Sequence, residues 1–136
     1  MTRRVELPAR LGDAILEEAR AARPYECCGL LEGRREDGAF RITALHPARN
    51  VRSDAARFEI DPRDHFAAQK RARANGAIII GCFHSHPGGP AQPSAADRAG
   101  AGEDDFLWLI AGNDGLNAFV YLRGWFTGAD WVTSSE

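Results

Sequence analysis

Two imidazoles two residues apart, His84 and His86, are the side chains whose types and spacing suggest chemistry first. They follow the apolar run Ile78-Ile79-Ile80, at what reads as the end of a strand. Successive strand side chains alternate faces, so positions 84 and 86 share one. Two imidazoles on one rigid element can converge on a single metal ion. Pro87 then turns the chain away, and Asp97 follows beyond a loop long enough to double back. Two histidines and one carboxylate are an ordinary ligand set for catalytic zinc, Zn2+, with each ligand about 2.0–2.2 Å away and a fourth position left for water. Zinc lowers the pKa of such a water toward about 7, which supplies hydroxide at neutral pH.

Other readings of these residues stay open on spacing alone. Ser94 followed three residues later by Asp97 is also a capping-box pattern, in which the serine accepts a backbone N–H at a helix start. Cys82 alternates with His84 and His86. With Cys27 or Cys28 it could close a structural zinc site, which has four protein ligands and no water. The plainer reading of Cys82 is a small buried apolar residue. His46 and His65 read as ordinary histidines.

The elements that position these groups follow from periodicity. Leu11, Ile15, Ala19 and Ala22 recur at helical spacing, so a helix is expected from about Pro8 to Arg23, ended by Pro24. Gly29–Arg35 and Phe40–Leu45 read as strands joined by the Asp37-Gly38 turn. Arg57–Ile60 reads as a short strand. Asp61-Pro62 starts a helix that runs to about Ala74 and stops at Asn75-Gly76. Ala77–Phe83 reads as a central strand buried on both faces, and Ser94 to about Ala101 as a short helix. Phe106–Ala111 and Ala118–Leu122 are strands joined by Asn113-Asp114-Gly115. Trp125–Val132 is a last strand or a packing segment. Mixed order predicts an α/β fold, a mixed β-sheet flanked by helices on its faces. The candidate site then lies at a strand end, where sites form in open α/β sheets.

Composition bounds the rest. The chain of 136 residues fits one domain spanning 1–136. It is 44% hydrophobic and 26% charged, as in an ordinary soluble globular protein. Its net charge of −2 gives no electrostatic reason to expect a nucleic-acid or acidic-membrane partner. No apolar stretch is long enough to span a bilayer. The basic start Met1-Thr2-Arg3-Arg4 runs into Glu6, Pro8 and Arg10 and not into an apolar signal core. Three cysteines, two of them adjacent, make a poor disulfide framework and point to a reducing cytoplasm.

Taken together, His84-Ser85-His86-Pro87, six residues, Ser94, two residues, Asp97 resembles the JAMM motif of the MPN-plus metalloproteases. Pro24-Tyr25-Glu26-Cys27-Cys28-Gly29-Leu30-Leu31 is similar to the segment that carries that family's essential glutamate. Asn50 and Arg57-Phe58-Glu59-Ile60-Asp61-Pro62 resemble the small bacterial, JAB-domain branch. The resemblance spans roughly Leu11 to Leu122. It implies an MPN/JAB-like fold related to the cytidine-deaminase-like architecture. It implies zinc on His84, His86 and Asp97, and Glu26 as general acid/base. Spacing alone does not choose Glu26 over Glu32, Glu59 or Glu103. Ser94 would donate to the tetrahedral oxyanion, Ser85 would position the loop, and Gly29 suits a close backbone approach.

The implied substrate is the C-terminal Gly-Gly tail of a ubiquitin-like or sulfur-carrier protein, lying as a side-chain-free strand edge-on to the sheet. The bond cut would release cysteine or a short extension. Two other readings follow: a non-catalytic MPN-type scaffold with structural zinc, and a zinc hydrolase of small amides. A deaminase site needs His-x-Glu and Pro-Cys-x-x-Cys, and neither occurs here.

Overall fold

The structure, a computed structural model, describes residues 4–52 and 58–134. Its elements are β1 (Arg4–Pro8), α1 (Ala9–Ala22), β2 (Cys28–Glu36), β3 (Ala39–Ala48), α2 (Pro62–Ala74), β4 (Ile78–Ser85), α3 (Ala95–Gly100), β5 (Phe106–Gly112), β6 (Gly115–Leu122) and β7 (Trp125–Ser134). The strands run in the order β1-β3-β2-β4-β5-β6-β7 and close into a barrel through β1 and β7. The β1–β3, β1–β7 and β4–β5 pairs are parallel and the others antiparallel, so the sheet is mixed.

Closure corrects the open sheet expected from the sequence. The closing strand is β1, which the sequence reading left out. Of its five residues Val5, Leu7 and Pro8 are buried, and one Val5–Leu7 alternation running into a proline is too short a pattern to stand out. Arg57 of the expected Arg57–Ile60 strand lies outside the described residues. The rest of that stretch is no strand; Ile60 makes a single bridge to Asn50.

Two apolar clusters lie on opposite faces of the curved sheet. α1 places Leu11 and Ile15 against Val5, Phe40, Phe83 and Leu109. α2 places Ala68 against Leu30, Cys82, Phe106 and Trp108. The isoleucine run is less central than expected: Ile78 is 49% exposed, and continuous burial starts at Ile80. The register between β2 and β4 shifts at Leu31/Glu32, so the extra residue at Ile80 re-aims the strand before it reaches the histidines. Among the described residues, no helix is long and apolar enough to cross a membrane.

Asp61 starts α2 as its sequence suggests. Its carboxylate accepts from the Arg63 N–H at 2.9 Å, and Pro62 follows it. Hydrogen bonds from the Arg63 side chain and then its backbone hold the Asp61 pKa at about 2, below the ordinary 3.8. A depressed carboxyl pKa stabilises the fold above the ordinary value, and that stabilisation disappears as pH falls from 3.8 toward 2. Asn also caps helices well. Asp61→Asn is therefore expected to fold at neutral pH but to lose less melting temperature than wild type across that acid window. Parallel melting curves for the two proteins would refute the assignment.

Candidate functional site

β4 delivers His84 into full burial, and His86, one residue past its end, lies at a largely covered rim with its side chain 11% exposed. The 87–94 loop brings the chain back so that Asp97, in the first turn of α3, meets both rings. His84 Nε2 and His86 Nε2 are 3.1 Å apart, and each lies 3.1 Å from Asp97 Oδ2. Glu26, just before β2, places a carboxylate oxygen within 4.8 Å of both ring nitrogens. It is 5% exposed.

This donor set fits a metal ion. If both Nε2 atoms carried protons toward Asp97, two N–H donors would face each other at 3.1 Å. A cation among the three atoms resolves that conflict. Ligands about 2.0–2.1 Å from a tetrahedral centre lie about 3.3–3.4 Å apart, close to the observed triangle.

The surroundings fix these ring orientations. His86 Nδ1 lies 3.0 Å from the Pro90 carbonyl, which favours a proton on Nδ1 and leaves Nε2 as a lone pair. His84 Nδ1 is buried with no hydrogen-bond partner among the described residues. Its ring is held by packing: Phe58 stacks on it at 4.3 Å and Trp108 meets it edge-on at 5.6 Å. Phe58 and Pro90 are supporting residues that the sequence reading missed. The Pro87-Gly88-Gly89-Pro90 turn was a signal for the second. Nothing in the sequence pointed Phe58 at His84.

Burial pushes the His84 pKa down, against the pull of Asp97, so this ring favours the neutral form. For His86 burial acts the same way. The hydrogen bond with Asp97, the Pro90 carbonyl and the charges of Asp97 and Glu26 outweigh it and raise the value. Burial would raise Asp97, but the two histidines and the Ser94 N–H hold its carboxyl well below the usual range.

Ser94 forms the capping box that the spacing allowed. Its Oγ accepts from Asp97 N at 3.0 Å, and its own N–H donates to Asp97 Oδ2 at 2.9 Å. A hydroxyl has one proton and two lone pairs, so accepting the cap bond leaves the Ser94 proton available to donate elsewhere. The cap and an oxyanion role are therefore compatible.

Ser85 ties the two halves of the site together. The Cys27 N–H donates to Ser85 Oγ at 2.9 Å, and Ser85 N–H donates to the Cys27 carbonyl at 3.2 Å. That reciprocal pair holds the residue after Glu26 against the residue between the histidines. Asn50 adds a third tie, donating from Nδ2 to the Glu26 carbonyl at 3.0 Å. Gly29 takes the close approach expected of it, since a Cβ there would collide with the Phe83 ring.

The cysteine alternative is not built. Cys82 packs with Leu30 and Trp108, and Cys27 packs in the opposite cluster. Burial raises all three thiol pKa values, Cys28 to about 12 with Cys27 beside it. His46 is an ordinary partner of buried Glu32, at 2.8 Å, and His65 sits near Gln69 on α2.

A buried glutamate, two histidines and an aspartate thus meet at the end of β4 on a mixed barrel. Residues 8–125 match the family of prokaryotic homologs of the JAB domain, and the chain belongs to that family. It is similar to the desampylase of Haloferax volcanii, with 34% identity over 117 residues, 82% of this chain and 83% of that protein. It is also similar to a probable TtuB-protein conjugate cleaving protease of Thermus thermophilus, with 34% identity over 115 residues, 81% of this chain and 74% of that one. The solution structure of a protein from Desulfitobacterium hafniense superposes with a TM-score of 0.88 at 31% identity, covering 97% of this chain and 94% of that one.

Proposed function

We propose that this protein is a zinc-dependent peptidase that hydrolyses the amide bond after the C-terminal Gly-Gly of a ubiquitin-like or sulfur-carrier protein. The observation that carries the proposal is the 3.1 Å triangle of His84, His86 and Asp97 with the Glu26 carboxylate beside it. Two relatives add support through their names, one a desampylase and one a conjugate cleaving protease.

His84, His86 and Asp97 would hold the metal. When bound, zinc supplies Lewis acidity and a more acidic water. Glu26 takes a proton from the attacking water and passes it to the departing amine. Ser94 donates its spare hydroxyl proton to the oxygen on which negative charge develops. Ser85 and Asn50 keep the Glu26 segment in register with the histidines.

Barrel closure leaves one stretch of edge for an extended tail. β1 covers only Ala39–Arg41 of β3, so among the described residues the outer edge of β3 is open from Ile42 to Ala48 and leads to the bridged pair Asn50 and Ile60, where Asn50 is tied to Glu26. A Gly-Gly tail along that edge reaches the site from the β2 side, and its missing side chains suit the narrow approach.

The test is a panel of substrates: carrier fusions extended beyond Gly-Gly, free dipeptides and simple amides, followed by mass spectrometry. Cleavage after Gly-Gly in the fusions is expected. Turnover confined to dipeptides or amides would favour a small-amide hydrolase, and no turnover at all would favour a scaffold.

Gly112 offers a second check. A Cβ there would run into the backbone of Ala91 and Pro90, displacing the carbonyl that orients His86. Loss of such an orienting bond typically weakens metal binding about 10–100-fold. Gly112→Ala is expected to weaken zinc binding within that range in chelator competition. Wild-type affinity would show that the Pro90 contact has no such role.

A further inference from the structure

We propose that a cleft between α3 and the β6–β7 hairpin binds the stretch of substrate on the amine side of the scissile bond, placing an acidic residue against Arg98 and a basic residue against Asp130. The inference rests on the peptidase reading above.

The cleft has a volume of about 550 Å³, and Gln92, Arg98, Asn117, Phe119, Phe126 and Asp130 are among its lining residues. That size lies within the range of ligand clefts, about 300–1,000 Å³. Strand register places it relative to the site. His84 pairs with Ile110, and Ile110 pairs with Asn117. Cross-strand partners share a face, so Asn117 looks out on the same side as His84. Two inter-strand steps separate them, about 10 Å. Ile110 between them is fully buried, so a bound chain reaches the cleft by way of Asp97 and Arg98 on α3, in somewhat more than the roughly three extended residues of the straight span.

The direction follows from the other side of the site. Glu26 and the Asn50 edge lie on the β2 flank of β4, while the cleft lies on the β5–β6 flank. A Gly-Gly tail that enters along Asn50 leaves the opposite flank to the chain beyond the cut. The walls suit such a chain. A Gly-Gly tail has no side chains to recognise, whereas this cleft offers an aromatic floor and opposite charges. Arg98 lies 6.0 Å over the Phe126 ring, and Phe126 meets Trp108 edge-on at 5.1 Å. Arg98 directly follows Asp97 in the chain, so a substrate that reaches it is already in contact with the site's own helix. Neither Arg98 nor Asp130 makes an ion pair among the described residues, so both charges remain available to a ligand.

Two carrier fusions test the inference. Both end the carrier in Gly-Gly, and their extensions differ only at the third and fourth residues, Glu in one and Lys in the other. The wild-type Glu-to-Lys ratio in kcat/KM is the reference, because Arg98 and Asp130 line the same cleft. Arg98→Glu is expected to lower that ratio about five- to tenfold, and Asp130→Lys to raise it by a similar factor. Both shifts are expected to shrink in high salt, because exposed charges are screened. The same extensions as free, fluorescently labelled peptides report on the cleft by anisotropy whether or not turnover occurs, with the same shifts between variants. Melting temperature checks that each variant is folded. An unchanged Glu-to-Lys ratio in folded Arg98→Glu, in cleavage and in anisotropy, overturns the cleft assignment and leaves the peptidase reading standing. No cleavage of either fusion by wild type, with charge-dependent peptide binding intact, overturns the peptidase reading and leaves the cleft.

Discussion

Glu26→Gln is expected to lower kcat for Gly-Gly fusions by about 10²–10⁴-fold, the usual worth of a positioned general acid/base, while zinc content stays at the wild-type level. Gln keeps the shape and packing of a side chain that is 5% exposed, but it cannot take up a proton at neutral pH. Geometry now separates Glu26 from two rivals that spacing left equal. Glu32 is occupied by His46 at 2.8 Å and Asn75 at 3.2 Å. Glu59 is paired with Arg52 on the surface at 3.9 Å. Glu26 lies within 4.8 Å of both ring nitrogens. Single-turnover rates and metal analysis on the same preparation check the prediction. Wild-type turnover in a zinc-loaded Glu26→Gln would remove Glu26 from the chemistry.

Asp97→Asn is expected to have the opposite signature: metal is lost first, and activity with it. The carboxylate is the one anion in the triangle, and it meets both rings at 3.1 Å. An amide supplies no charge, and its NH2 group would present donors where ligand atoms are needed. Removing a supporting bond weakens metal sites about 10–100-fold, so loss of a ligand is expected to exceed 100-fold. The Asn side-chain oxygen can still accept from Ser94 N–H, so α3 keeps its cap and the fold survives. Chelator competition and circular dichroism read the two effects separately. Wild-type zinc affinity in Asp97→Asn would exclude Asp97 as a ligand.

Legibility in the sequence followed the range of the interactions involved. α1, α2 and most strands were readable because their patterns are local: Leu11 and Ile15 on one helical stripe, Asp61-Pro62 at a helix start, and Asp37-Gly38 in a turn. The His84–His86 pair and the Ser94-x-x-Asp97 box were readable for the same reason. Barrel closure was not. It depends on Val5 and Leu7 pairing with Trp131 and Thr133 from the far end of the chain, and no local pattern encodes that partner. Glu26 came from resemblance and not from spacing, because its place beside the histidines is made by β2 pairing with β4 across more than fifty residues of chain, Cys28 opposite His84. Phe58 and Pro90 were hidden in the same way. Ser94 shows a different limit: spacing offered a cap or an oxyanion donor as alternatives, and one hydroxyl has the hydrogen-bonding capacity for both.

The most direct test of the central claim is the intact mass of a carrier fusion extended beyond Gly-Gly, measured before and after incubation with the zinc-loaded protein. The account predicts loss of the mass that follows the second glycine, no loss after chelation, and recovery on adding zinc. An unchanged fusion mass with fully zinc-loaded protein, or equal cleavage by the chelated protein, would contradict it.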